Sequence, residues 1–125
     1  MRICLVILGL TFLLPTTVPG QTVTGPMVRF RTTQGDIDVT LLPNSAPKTV
    51  ANFLNYVNRG AFNNSVFHRS VAGFIIQGGG YTWQNLTPIE IPSDPPIANE
   101  YSVSNIRGTL AMAKLPSGPD TATNQ

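Results

Sequence analysis

Histidine and cysteine are almost missing from this sequence: its 125 residues include one of each, His68 and Cys4. A metal centre built from several imidazoles or thiolates needs more of both, and a lone cysteine closes no disulfide within a chain. Charge is scarce as well. Only 11% of the residues are Asp, Glu, Lys or Arg, the formal net charge is +2, and the cations are scattered. Nucleic acid, which calls for clustered cations, is therefore not an expected partner. No Gly-x-Ser-x-Gly elbow accompanies His68 to support a Ser-His-Asp arrangement. Gly78-Gly79-Gly80 lacks the Lys-Ser/Thr that completes a phosphate loop and does not open a helix. There is no internal repeat, and the sequence offers no motif for a metal or a cofactor.

No apolar run reaches the roughly 20 residues that cross a bilayer. The longest spans residues 3–14, follows Arg2, and leads through Pro15 to a small-residue site at Val18-Pro19-Gly20. This is the pattern of a removable signal peptide over 1–20, and it fits a cleaved leader better than a retained anchor. Residues 21–27 read as a linker and 28–125 as one domain. That domain is expected to be periplasmic or secreted, without membrane contact once the leader is gone. Cys4 departs with the leader.

What the chain does have is a set of short β-prone runs and one amphipathic stretch. Residues 28–32 alternate Val28, Phe30 and Thr32 against Arg29 and Arg31. They are separated from a second run at 37–42 by Thr33-Gln34-Gly35-Asp36, a hairpin signature. Within 43–60, Pro47 suits a first helical turn and Gly60 a stop. Val50, Phe53, Leu54 and Val57 fall on one helical face. Two further runs, 66–70 and 74–77, are joined by Val71-Ala72-Gly73. Residues 81–104 are rich in Pro and Asn and predict mostly surface loop. Residues 108–113 predict one more strand, and 114–125 predict loop. Many short strands with one helix favour a mainly β, antiparallel sheet or barrel.

One stretch of 67–80, Phe-His-Arg-Ser-Val-Ala-Gly-Phe-Ile-Ile-Gln-Gly-Gly-Gly, concentrates the residues that chemistry could use. Period-two alternation places Phe67 and Arg69 on one face of the first strand, and Ile75 and Gln77 on one face of the second. If the two strands pair, an arginine, a glutamine and apolar side chains converge on one patch, as ligand sites commonly do. The same residues also admit a plainer reading. Arg69 is then a solvated charge, Phe74 and Ile75 are core, and Gln77 is a rim residue.

This stretch resembles the signature of the cyclophilin prolyl isomerases: Phe-His-Arg, a turn with Gly-Phe, an apolar pair, then Gln-Gly-Gly. Thr33-Gln34-Gly35-Asp36-Ile37 is similar to that family's first hairpin, and Ala46-Pro47-Lys48-Thr49-Val50-Ala51-Asn52-Phe53 to the start of its first helix. Arg107 to Ala113 resembles the strand that leads into the second half of the site, and Thr121 to Gln125 the segment ending in a second binding glutamine. The resemblance implies an antiparallel eight-stranded barrel with capping helices, acting without cofactor on proline-containing polypeptides. It assigns catalysis to Arg69 and substrate binding to Phe74, Ile75, Gln77, Ala113, Lys114 and Gln125. Ile75 stands where methionine is common, and Lys114 where asparagine is common. The implied function is rotation about X-Pro bonds to assist folding of exported proteins. The alternative is a non-catalytic module that binds proline peptides on the same patch. The family's pattern continues past Gln125 with closing strands and a second helix. The expectation is thus an incomplete barrel that is weakly active or inactive by itself.

Overall fold

The computed structural model describes residues 24–125. The leader read over 1–20 and the first part of the linker read over 21–27 lie outside the described residues.

Strands β1 (Met27–Thr32) and β2 (Gly35–Thr40) form an antiparallel pair in unbroken register, from Met27 opposite Thr40 to Thr32 opposite Gly35. The alternation in β1 works as the sequence predicts: Val28, Phe30 and Thr32 are half-buried, while Met27, Arg29 and Arg31 are exposed. Thr33-Gln34 make the turn. The Thr32 hydroxyl accepts the N–H of Gln34 and donates to the carbonyl of Gly35, whose φ of 122° is a conformation open to glycine. On the wet face, the Arg29 guanidinium meets both carboxylate oxygens of Asp38 at 2.7 and 2.8 Å. That forked hydrogen bond raises the arginine's pKa and lowers the carboxyl's. Because the pair is exposed, it fixes register more than it adds stability.

Helix α1 (Pro47–Asn58) begins with proline in its first turn, where the missing N–H costs nothing. Ala46 at the N-cap supplies no side-chain cap. The task falls to Glu100, distant in sequence, whose carboxylate oxygens accept the N–H of Lys48 at 3.0 Å and of Thr49 at 2.8 Å. Partial burial works against ionisation of Glu100. The backbone N–H groups of Thr49 and Lys48 outweigh it and hold the carboxyl below its ordinary range.

The helix packs through an aromatic column. Phe53 lies 6.1 Å from Phe30 of β1 and 5.7 Å from Phe62, and Phe62 lies 5.5 Å from Tyr56, between ring centroids. Tyr56 is the most buried large side chain, while the expected face residues Val50, Leu54 and Val57 are half-buried. A phenol can lie this deep because its hydroxyl accepts the N–H of Asp94 and the Arg59 guanidinium stacks 4.2 Å from its ring centre. Leu41, Phe53, Ile91 and Ala122 complete a small core.

Two further antiparallel hairpins follow: β3 (Arg69–Val71) with β4 (Ile75–Gln77), and β5 (Tyr81–Gln84) with β6 (Thr87–Glu90). The fold is mainly β with one helix, as the sequence predicts, but one local expectation needs an addition and another a correction. Residues 81–104 are mostly loop, as expected, but they begin with a hairpin the sequence does not announce, formed by β5 and β6. Their turn, Asn85-Leu86, has φ of 48° and 63°, the paired positive values of a tight hairpin. Residues 108–113 form no strand, since no neighbouring strand is there to pair with them. The eight-stranded barrel is also not reached. Among the described residues there are six strands in three separate pairs, and the barrel is not closed. Isolated bridges, Ser65 with Thr82 and Ile97 with Ala122, tie the loops to this frame.

Candidate active site

The β3–β4 register puts Arg69 opposite Gln77 and Val71 opposite Ile75, so these four residues share one face of the hairpin. The convergence expected from alternation is therefore present. Arg69 donates from Nη1 to Oε1 of Gln77 at 3.3 Å, and Gln77 donates from Nε2 to Oε1 of Gln125 at 3.0 Å. The main chain of Gln125 is held in turn, its carbonyl accepting the N–H of Ala113 at 2.7 Å. Four residues scattered from 69 to 125 are thus joined in one line of hydrogen bonds. Arg69 is exposed and Gln77 and Gln125 are half-buried, so the guanidinium faces water while its anchors do not.

The other candidates are placed differently. Ile75 is half-buried on the same face. Phe74 lies in the β3–β4 turn with 74% of its surface exposed, outside the polar line. Lys114 follows Ala113, but its ammonium donates to Oδ1 of Asn99 at 3.0 Å and takes no part in that line. A cleft of about 450 Å³ lies elsewhere, between the end of α1 and β6, lined among others by Arg59, Ile89, Glu90 and Asp94. A smaller polar hollow of about 130 Å³ borders Gln125, together with Gly80, Tyr81, Thr123 and Asn124.

Sequence reasoning missed the residues that carry Gln125 to its place. Asn52 of α1 and the buried Asn124 both donate to backbone carbonyls around this segment. No sequence signal marks the first, since Asn52 is one of three asparagines in α1, with Asn55 and Asn58.

Residues 27–125 match the family described as cyclophilin type peptidyl-prolyl cis-trans isomerase/CLD. The chain belongs to the cyclophilin-type family. It is 44% identical over 101 residues to peptidyl-prolyl cis-trans isomerase B of Escherichia coli (strain K12), covering 79% of this chain and 59% of that protein. It is likewise 44% identical over 101 residues to a peptidyl-prolyl cis-trans isomerase of Acinetobacter baylyi, covering 79% of this chain and 52% of the relative. Against peptidyl-prolyl cis-trans isomerase A of Dickeya dadantii the identity is 38% over 104 residues, covering 82% and 53%. The chain thus spans somewhat more than half the length of these relatives. Of the positions that the cyclophilin resemblance singles out, the structure links Arg69, Gln77, Ala113 and Gln125 and sets Phe74 and Lys114 apart from them.

Proposed function

We propose that the protein is a peptidyl-prolyl cis/trans isomerase that accelerates rotation about X-Pro bonds. The observation that carries this reading is the Arg69–Gln77–Gln125 line, which holds an otherwise mobile arginine from one side and leaves it open to a peptide on the other.

Rotation is slow because amide resonance stiffens the C–N bond, giving a barrier of about 20 kcal/mol. In the half-rotated state the proline nitrogen loses conjugation and its lone pair becomes able to accept a hydrogen bond. A guanidinium fixed near that nitrogen binds the twisted form better than either planar form, which is differential stabilisation of the transition state. Lowering the barrier by about 6 to 7 kcal/mol accelerates the step roughly 10⁵-fold. No σ bond is broken and no electron is transferred; only the amide conjugation is lost and regained. Phe74 and Ile75 offer the proline ring an apolar surface, while Gln77, Gln125 and the main chain at Ala113 and Lys114 receive the peptide on either side.

The same proposal has the complete protein form the eight-stranded barrel, with the three hairpins as its first strands. It makes the protein an exported one, working outside the cytoplasm on newly delivered polypeptides. The leader pattern at 1–20 supports that location. The test is NMR exchange spectroscopy on a proline tetrapeptide with the complete protein. Faster cis/trans exchange is the expected result. Peptide binding without faster exchange would overturn it and favour a non-catalytic binding module.

A further inference from the structure

Gln125 reaches Gln77 only because the segment before it is held tightly, and the side chains that hold it lie outside the site itself. Ala122 is buried and bridged to Ile97. The carbonyl of Thr123 accepts Nδ2 of Asn52, on α1, at 2.7 Å. Asn124 is buried, 6% exposed, and donates from Nδ2 to the carbonyl of Ile91 at 3.0 Å, while its Oδ1 accepts the Thr123 hydroxyl at 3.2 Å. Beneath the segment, Gly79 has a φ of 87° and lies so close to the Asn124 carbonyl that a Cβ there would overlap it. A Cβ on Gly80 would stand 2.6 Å from Nε2 of Gln125. The segment is therefore pressed against bare backbone from below and clamped from both sides.

We propose that Asn52 and Asn124 are positioning residues, whose side-chain amides clamp residues 123–124 between α1 and Ile91 and so set Gln125 against Gln77, and Gln77 against Arg69. The clamp acts before any peptide arrives, which is what pre-organisation of a long, exposed arginine requires. Asparagine suits both places because its NH₂ can donate to a carbonyl without bringing a charge into a part-buried or buried position. The inference rests on the isomerase reading, in that the residue finally positioned is the proposed catalytic arginine.

The test uses the complete protein with Asn52→Ala and Asn124→Ala, each made in the parent and in a Gln125→Ala background. Two readouts are followed: kcat/KM on a proline tetrapeptide, and the side-chain NH₂ signal of Gln77 in a ¹⁵N correlation spectrum. Each variant is expected to lose about tenfold in kcat/KM in the parent and less than about twofold when Gln125 is already alanine, because residues that act through one another are not additive. The Gln77 signal should move toward its position in Gln125→Ala. An equal loss in both backgrounds, or a Gln77 signal fixed at the parent position in both variants, overturns the proposal. Asn52 is only part-buried, so its variant keeps the test readable should the buried Asn124→Ala fail to fold. If the parent itself shows no isomerase activity, the functional reading falls, and the Gln77 signal alone decides the positioning claim.

Discussion

Arg69 and Gln77 stand directly opposite each other on paired strands, and the 3.3 Å bond between them decides which way the glutamine amide faces. With Oε1 accepting from the arginine, Nε2 is turned toward Gln125 and donates to it at 3.0 Å. One side chain thus ties a surface guanidinium to a segment 48 residues away. Arginine offers five donors, so this single bond leaves most of its hydrogen-bonding capacity for a substrate.

Removing the link should therefore hurt turnover more than binding. In Gln77→Ala the guanidinium loses its anchor and samples orientations that miss the proline nitrogen. The expected outcome is a fall in kcat of about tenfold, larger than the rise in KM that losing the peptide contact of Gln77 itself brings. Steady-state kinetics on a proline tetrapeptide with the complete protein measures both. A rise in KM at unchanged kcat would assign Gln77 to uniform binding instead.

Tyr56→Phe isolates the hydrogen bond at the bottom of the core. The ring stays, but the N–H of Asp94 loses its acceptor in a part-buried setting. The expected cost is about 1 to 2 kcal/mol, or a fall in Tm of roughly 5 to 10 °C for a domain near 100 residues. Thermal unfolding followed by circular dichroism reads it directly, and a Tm within a degree of the parent's would show the bond to be dispensable.

Glu100 gives the fold a pH dependence of definite sign. Its folded-state pKa lies below the ordinary 4.5 because it accepts the N–H groups at the start of α1. Its contribution is therefore fully present above that ordinary value and is lost as pH falls through the lowered one. In Glu100→Gln the protein should be less stable at neutral pH, and its Tm should fall less steeply than the parent's below about pH 5. Parallel Tm curves for parent and variant across that range would contradict the capping role.

The β5–β6 turn carries a removable strain. Leu86 takes a φ of 63° with 88% of its surface exposed, so its side chain gains little there while its backbone occupies a region suited to glycine. Leu86→Gly turns the pair into Asn-Gly, the favoured sequence for such a turn. Stability should rise by about 0.5 to 1 kcal/mol, which a urea unfolding curve with unchanged slope will show. A lower midpoint would mean that the leucine packs on something the turn geometry does not reveal.

The same turn explains why part of the fold was hard to read. The first hairpin and α1 are visible in the sequence because period-two and period-3.6 patterns are local, and the Arg69–Gln77 pairing follows from alternation across a short connection. The β5–β6 hairpin is not visible, since its turn lacks glycine and Pro88 interrupts the strand signal. Residues 108–113 are a short, largely apolar run with Thr109 as its one β-branched residue, and they have no partner strand, whereas a ladder needs two. Glu100 capping α1 and Asn52 holding Thr123 join positions more than fifty residues apart, and no spacing rule reaches that far. Gln125 stands out in the sequence only through the family resemblance; the geometry adds that it accepts from Gln77.

The central claim is that a tethered guanidinium at Arg69 favours the half-rotated prolyl bond, and the direct measurement is kcat/KM alongside peptide Kd for the parent, Arg69→Ala and Arg69→Lys in the complete protein. Arg69→Ala should lose at least about 100-fold in kcat/KM, roughly 2.7 kcal/mol of transition-state stabilisation, while Kd changes by less than about threefold. Arg69→Lys should recover little, because an ammonium lacks the planar fork that can hold Gln77 and face the imide at once. An Arg69→Ala protein that turns over at the parent rate would contradict the account.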